Sequence, residues 1–96
     1  MSNRQPAKLL RIYFAGGRPV YEAIVAKCRE MHIAGATVLR GDEGFGSGPE
    51  IESKPVVIAI VDEPAKIDAL LPAVEALLPG GAMVVSKAEM IRVKRD

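Results

Sequence analysis

Four glycines, at positions 41, 44, 46 and 48, directly follow a run of strand-forming residues and surround one aromatic residue, Phe45. Glycine lets backbone N–H groups converge on phosphate oxygens, because no Cβ atom obstructs the approach. A loop of this composition can therefore bind an anion. The same composition is also typical of an ordinary flexible connection, and the residues alone leave both interpretations open.

Carboxylates are frequent around this loop and are the chain's main candidates for acid–base chemistry. They are Asp42, Glu43, Glu50 and Glu52. Acid–base work requires perturbed pKa values in a formed cleft, whereas carboxylates on a solvated loop serve partner contacts or solubility. The single histidine, His32, is expected at a helix end, and it completes neither a Ser/His/Asp nor a Cys/His constellation. We expect no catalytic residues and no enzymatic activity.

Cys28 and His32 are the one pair with metal-ligand chemistry at a useful spacing. Residues i and i+4 of a helix can face the same way. Cys28, however, also belongs to an apolar stripe, and no third or fourth ligand is near in the sequence. We therefore expect no metal site. A lone cysteine cannot form an intramolecular disulfide, which fits a reducing compartment.

The composition is that of a small globular protein. The chain has 96 residues, of which 49% are apolar and 26% charged, with a net charge of +1. We expect one domain over residues 1–96, and the near-zero net charge argues against nucleic-acid binding. No signal peptide is visible and no apolar run approaches the ~20 residues that span a bilayer. We expect a cytoplasmic protein without membrane insertion.

Periodicity and turn residues predict the order βαββαβ. The predicted strands cover residues 8–15, 36–40, 55–61 and 82–86, with 89–94 as a short fifth extended piece, and the loop covers 41–54. The first helix is expected to begin near Pro19 and to stop at Gly35. The second is expected to be capped by Asp62 and to continue, kinked, through Pro72.

A short internal repeat supports this order, because each helix is followed by a glycine, an alanine and a strand rich in β-branched residues. Two βαβ units of this length with right-handed crossovers give a ferredoxin-like α+β sandwich, a four-stranded antiparallel sheet with both helices on one face. The strands carry apolar residues at both odd and even positions, and therefore on both faces of the sheet. We therefore expect other subunits to cover the second face, as a homotrimer or, more simply, a dimer.

Several separate blocks of the sequence resemble the PII-like (GlnB-like) superfamily. The stretch from Thr37 to Gly41 followed by Gly44-Phe45-Gly46 resembles the base of the large loop of PII signalling proteins. Together with Pro19 to Val25 and Pro55 to Asp62, it more closely resembles a small PII-like family known only as a domain of unknown function. The resemblance covers almost the whole chain.

The resemblance implies a trimer that binds an effector in clefts between subunits, an AMP-, ADP- or ATP-type nucleotide or related anion, with no tightly bound cofactor. It implies that Gly80 and Gly81 form a phosphate-facing turn. Phe45 would touch an adenine ring or a neighbouring subunit, or simply anchor the loop. The ligand-binding residues expected on this basis are Thr37, Gly41, Gly44, Phe45, Gly46, Gly80, Gly81, Arg92, Lys94 and Arg95.

The function expected from the resemblance is regulatory. The protein would bind its effector between subunits and regulate a transporter, channel or enzyme through the 41–54 loop. The alternative is a trimeric binding or structural module without a nucleotide, similar to metal-tolerance proteins, because the stretch from Ser47 to Lys54 is short. A third class, an acylphosphatase-type enzyme, would depend on Arg18 or Arg40 and is not expected.

Overall fold

The structure, a computed structural model, describes residues 4–41 and 55–93. Its elements are β1 (Arg4–Ala15), α1 (Arg18–Glu30), β2 (Ala36–Arg40), β3 (Pro55–Asp62), α2 (Pro64–Leu77) and β4 (Ala82–Ile91). Within these residues no helix has both the length and the apolarity that crossing a membrane requires. The order βαββαβ is the one that the sequence predicts.

The four strands form one antiparallel sheet in the order β2-β3-β1-β4. β1 lies inside the sheet, with its C-terminal half against β3 from Lys8↔Asp62 to Ala15↔Pro55. Its other edge pairs with β4 from Arg4↔Ile91 to Tyr13↔Ala82. β3 has a strand on each side, which is the central position that its continuous apolar run predicts. The ferredoxin-like sheet is confirmed.

The core lies between the two helices and one face of the sheet. Alternate residues of β1 and β3 point into it, as the two-residue period of a strand requires. The helices contribute fully or nearly fully buried side chains to the same cluster. Its members are Leu10, Ile12, Phe14, Ile24, Cys28, Val56, Ile58, Ile60, Ile67, Leu70 and Val74.

The first helix ends earlier than the sequence predicts. It stops at Glu30, and His32 then adopts a left-handed conformation with φ of 56°. The N–H of His32 donates to the Arg29 carbonyl at 3.1 Å, and that of Ile33 donates to the Cys28 carbonyl at 2.9 Å. This pair of hydrogen bonds is a Schellman motif. The prediction of a stop at Gly35 is wrong, since the capping conformation falls on a histidine.

The first and last strands are longer than predicted. β1 begins at Arg4, four residues before the expected start at Lys8. β4 continues to Ile91, so the extended piece expected after Glu89 is a continuation of the fourth strand within the described residues. Each extension satisfies the backbone groups of the other, because Arg4 pairs with Ile91.

The second helix is one continuous element through Pro72, as predicted. Its N-cap residue is Glu63 rather than Asp62. Asp62 is instead the last residue of β3, and its side chain is only 1% exposed. The prediction of a capping role for Asp62 is wrong, because its carboxylate points inward to a different set of donors.

Candidate functional site

Three glycine-containing turns meet at one end of the sheet, which we call the loop end. Gly16 and Gly17 follow β1, Gly41 follows β2, and Gly80 with Gly81 precedes β4. The register brings them to the same level, because Ala15 pairs with Pro55 and Tyr13 pairs with Ala82. The strand polarity therefore collects at one end the backbone segments least obstructed by Cβ atoms.

Gly41 closes the base of the 41–54 loop. Its N–H donates to the Pro55 carbonyl at 2.8 Å, which extends the β2–β3 ladder by one step. A Cβ atom at Gly41 would lie 2.8 Å from Cγ of Pro55, too close for a side chain without movement of that ring. Glycine at 41 is therefore required by the close approach of the two strands.

Gly80 and Gly81 differ in why they are glycines. Gly81 has φ of +116°, and a Cβ atom there would overlap the Tyr13 carbonyl oxygen. A Cβ atom at Gly80 would meet nothing within 4 Å. Gly81 therefore serves the fold, because the turn passes directly over β1. Gly80 faces open space and is the position where a substitution reports on a ligand without disturbing the backbone.

Arg92 lies at the opposite end of the sheet from Gly81. It follows Ile91, which pairs with Arg4 at the start of β1, and its side chain is exposed. Eleven residues of extended chain at ~3.3 Å each separate it from Gly81 by roughly 35 Å. One protomer therefore does not bring Arg92 to the glycine turns, and only a neighbouring copy could do so.

The other site residues predicted from the sequence fall into two groups. Thr37 is exposed in the middle of β2 and pairs with Ala59, on the sheet face away from the helices. The remaining predicted site residues lie outside the described residues. They are Gly44, Phe45, Gly46, Lys94 and Arg95. Of the predicted set, the structure thus gathers only Gly41, Gly80 and Gly81 at the loop end.

The sheet face away from the helices is apolar at the loop end. Leu39, Val57, Tyr13 and Ala82 align across all four strands in that order. Tyr13 is 41% exposed and Leu39 is 56% exposed. Val84, the next residue of β4 on that face, is 47% exposed. Large apolar side chains left exposed together on one sheet face are typical of a surface that a partner covers.

A cleft of about 220 Å³ opens at the loop end between α1 and the start of the 41–54 loop. Two arginines line it, Arg18 on the first residue of α1 and Arg40 on the last residue of β2. Tyr21 and the backbone of Gly17 complete that side. A hydrogen bond with Tyr21, and after it the charges of Tyr21 and Glu22, raise the pKa of Arg18.

Asp62 connects the two helices at the end of the sheet opposite the loop end. Its Oδ2 accepts a hydrogen bond from the Ala34 N–H at 2.8 Å, and its Oδ1 accepts one from the Glu63 N–H at 2.7 Å. Lys66 lies 3.9 Å from Oδ2 and donates to the His32 carbonyl at 2.9 Å. One buried carboxylate thus joins the turn after α1 to the first turn of α2.

Sequence reasoning missed the cleft as a unit. It considered Arg18 and Arg40 only for an unexpected enzymatic role, and it did not consider Tyr21. A signal was present, because Gly16-Gly17-Arg18-Pro19 joins a strand to a helix N-terminus through glycines. That arrangement is typical of anion-binding turns in α/β proteins.

The fold is that of PII-like proteins. The structure superposes on that of CPII, a nitrogen regulatory PII-like protein from Thiomonas intermedia K12 bound to ADP, AMP and bicarbonate, with a TM-score of 0.70. The two are 16% identical, over 98% of this chain and 100% of CPII. It also superposes on the GlnK–ATP complex of B. subtilis, with a TM-score of 0.66, 15% identity and coverage of 86% and 82%. At these identities the likeness shows the fold.

The chain belongs to the DUF190 family, whose description is "Uncharacterized ACR" and whose pattern matches residues 7–90. A UPF0166 protein of Aquifex aeolicus (strain VF5) is 36% identical over an aligned stretch of 78 residues, and the match covers 67% of this chain and 74% of that protein. The resemblance to a PII-like family of unknown function, drawn from the Thr37–Gly46 region and its flanking blocks, is thereby confirmed.

Proposed function

We propose that this protein is a PII-like regulator that binds an adenine nucleotide in clefts between subunits of a homotrimer. The observation that carries the proposal is the separation of its two candidate anion-binding groups. The glycine turns lie at the loop end, and Arg92 lies at the other end of β4. A phosphate that contacts both must be bound by two copies of the chain.

The class of ligand follows from the relatives. CPII is described with ADP and AMP bound, and GlnK of B. subtilis with ATP. We carry adenine nucleotides over to this chain as the proposed effector. Backbone N–H groups beside Gly80 would face the phosphates, and the Arg92 guanidinium of a neighbouring copy would add charge-assisted hydrogen bonds.

Association itself is supported by the exposed apolar face. A trimer that turns this face inward would bury Tyr13, Leu39 and Val84. At ~25 cal/mol per Å² of apolar surface, side chains of this kind contribute appreciably to association. β4 is also an edge strand, and most of its residues are exposed. Subunit contacts can cover an exposed edge strand of this kind.

The regulatory output is proposed to run through residues 41–54. The loop starts at Gly41, which is bonded to Pro55, so its two ends are fixed while a ligand at the loop end could select among loop conformations. Such a ligand transmits a signal only as far as its affinity differs between those conformations. The proposed target is a transporter, channel or enzyme; we propose no catalysis by this chain.

Calorimetry with ADP, AMP and ATP, alongside light scattering for the oligomer, tests the proposal. Gly80→Asp places a carboxylate beside the proposed phosphate, at a position where a Cβ atom meets nothing within 4 Å, and Arg92→Gln removes the cation. We expect each to weaken nucleotide binding about tenfold or more. Arg29→Gln, on the exposed last turn of α1, is the matched control and should bind as the natural chain does.

Subunit mixing separates a shared site from two independent ones. Neither the Gly80→Asp nor the Arg92→Gln protein should bind well alone. When the two are unfolded together and reassembled in equal amounts, about one quarter of the sites should receive an intact half from each copy, because each site takes its halves from different subunits. No recovery on mixing would contradict a site shared between copies.

The alternative is a trimeric module that binds no nucleotide. One observation favours it: glycine at 81 is fully explained by its contact with the Tyr13 carbonyl, with no phosphate required. Absence of heat with all three nucleotides, in a protein that light scattering shows to be a trimer, would establish this alternative and remove the effector from the proposal.

A further inference from the structure

The cleft lined by Arg18 and Arg40 is separate from the turns proposed to hold a nucleotide. Its remaining lining comes from the backbone after β1 and from the start of β3. Neither Gly80, Gly81 nor Arg92 is part of it. All of its described lining therefore comes from one protomer, whereas the proposed nucleotide site needs two.

Both arginines stand on backbone that the fold holds in place. Arg40 pairs with Val56, and the hydrogen bond from Gly41 to Pro55 closes the ladder immediately beyond it. Arg18 begins a helix of 13 residues. Two arginines that line one cleft from fixed, separate elements can together offer charge-assisted hydrogen bonds to an oxyanion.

The charge of the cleft is incompletely balanced among the described residues. Arg18 pairs with Glu22 at 3.0 Å, and the described residues supply no ion-pair partner for Arg40. The first turn of α1 contains no acidic residue, and no side chain caps Gly17 at its start. A cation on the first residue of a helix opposes the macrodipole, and a bound anion would offset both.

The size of the cleft selects a small ligand. About 220 Å³ is below the ~300–1,000 Å³ of pockets that enclose drug-sized ligands. A phosphate or bicarbonate ion is of a size that this cleft accommodates.

We propose that this cleft is an oxyanion site at the base of the 41–54 loop, in which Arg18 and Arg40 hold a phosphate- or bicarbonate-sized ion. Tyr21, which lines the same cleft, would orient Arg18 toward the ion. Because Arg40 immediately precedes Gly41, an ion bound to Arg40 would act directly on the backbone at the first residue of the loop.

The test is an NMR titration of the full chain with sodium phosphate and, separately, with sodium bicarbonate, at constant ionic strength made up with sodium chloride. We expect at least one of the two ions to shift the amide signals of Gly16, Gly17 and Gly41 saturably. The ion that does so identifies the source of the oxyanion. If neither ion shifts these amide signals, the proposal is overturned.

Four variants distinguish the cleft from general salt effects. Arg18→Gln and Arg40→Gln should each weaken the ion's affinity about tenfold, since each removes a charge-assisted contact. Glu22→Gln should strengthen it about two- to threefold, because it releases Arg18 from a competing carboxylate. Arg29→Gln should leave the affinity unchanged.

Three results would contradict the assignment. Saturable shifts centred on Gly80 and Gly81 would place the ion in the nucleotide site instead. An equal loss of affinity in Arg29→Gln would show a diffuse charge effect, and weaker binding in Glu22→Gln would reverse the predicted sign. Since the calorimetric test uses Gly80 and Arg92, failure here and failure of the nucleotide proposal are independent results.

Discussion

Replacing Asp62 tests how much stability a single buried carboxylate gives the helical layer. Asp62→Asn keeps the shape of the side chain but removes its charge and turns one acceptor into an NH₂ donor. The two acceptors now receive the N–H groups of Ala34 at 2.8 Å and Glu63 at 2.7 Å. An asparagine can accept only one of them and presents a donor to the other.

The magnitude follows from the hydrogen bond that is lost. A hydrogen bond to a charged group contributes ~1.5–3 kcal/mol, and an unsatisfied buried partner costs a similar amount. We expect Asp62→Asn to lower the free energy of unfolding by about 2 kcal/mol. Asp62→Ala loses both bonds, and we expect about 3–4 kcal/mol, less than the sum because water can reach the Glu63 N–H.

Urea denaturation followed by circular dichroism, at one fixed protein concentration, measures the change. With a slope near ~2 kcal/mol per M, the Asp62→Asn midpoint should fall by about 1 M with the slope unchanged. Asp68→Asn is the matched control. It loses an ion pair to Lys8 at 2.6 Å whose carboxylate is 54% exposed, so its cost should be about 0–1 kcal/mol. Equal costs for the two substitutions would refute the assignment of Asp62.

Three further predictions follow from backbone conformation and burial. His32→Gly should raise the free energy of unfolding by about 1 kcal/mol, measured by urea denaturation, because glycine adopts φ of 56° without strain. Gly81→Ala should lower it by about 2–3 kcal/mol, since a Cβ atom would overlap the Tyr13 carbonyl, whereas Gly80→Ala should be nearly neutral; a reversed order would contradict the turn geometry. Burial raises the pKa of the Cys28 thiol, so Ellman's reagent should label it slowly until the chain is denatured. A raised pKa favours the protonated folded form, so this thiol's contribution to stability is full below pH 9.0 and falls as the pH rises above it.

The topology could be predicted from the sequence because its signals are local and consistent. The apolar run of β3 and the glycine–alanine repeat after each helix indicate where the strands lie. Right-handed crossovers then leave few ways to connect these strands. β1 and β4 were predicted too short because Arg4, Gln5 and Pro6 have little strand propensity of their own. Their extended conformation comes from pairing with residues more than 80 positions away.

The details that sequence did not predict depend on tertiary partners. Asp62 precedes a helix and has the residue type of a cap, and only the position of the Ala34 N–H decides that its carboxylate turns inward. His32 ends a helix where Gly35 is the better local choice, because Ile33 is needed against the core just beyond Cys28. In the candidate site, Arg18 and Arg40 are 22 positions apart, and nothing local indicates that they share a cleft.

The arrangement of the protomer links ligand binding to association. On the proposed function, one contact between copies covers the exposed apolar face and brings Arg92 to the glycine turns. A nucleotide that bridges two copies must then stabilise the trimer by as much as trimer formation improves its affinity. The described lining of the Arg18–Arg40 cleft comes from one copy, so its oxyanion should bind monomer and trimer equally. Dilution should therefore weaken nucleotide binding and leave the binding of phosphate or bicarbonate unchanged.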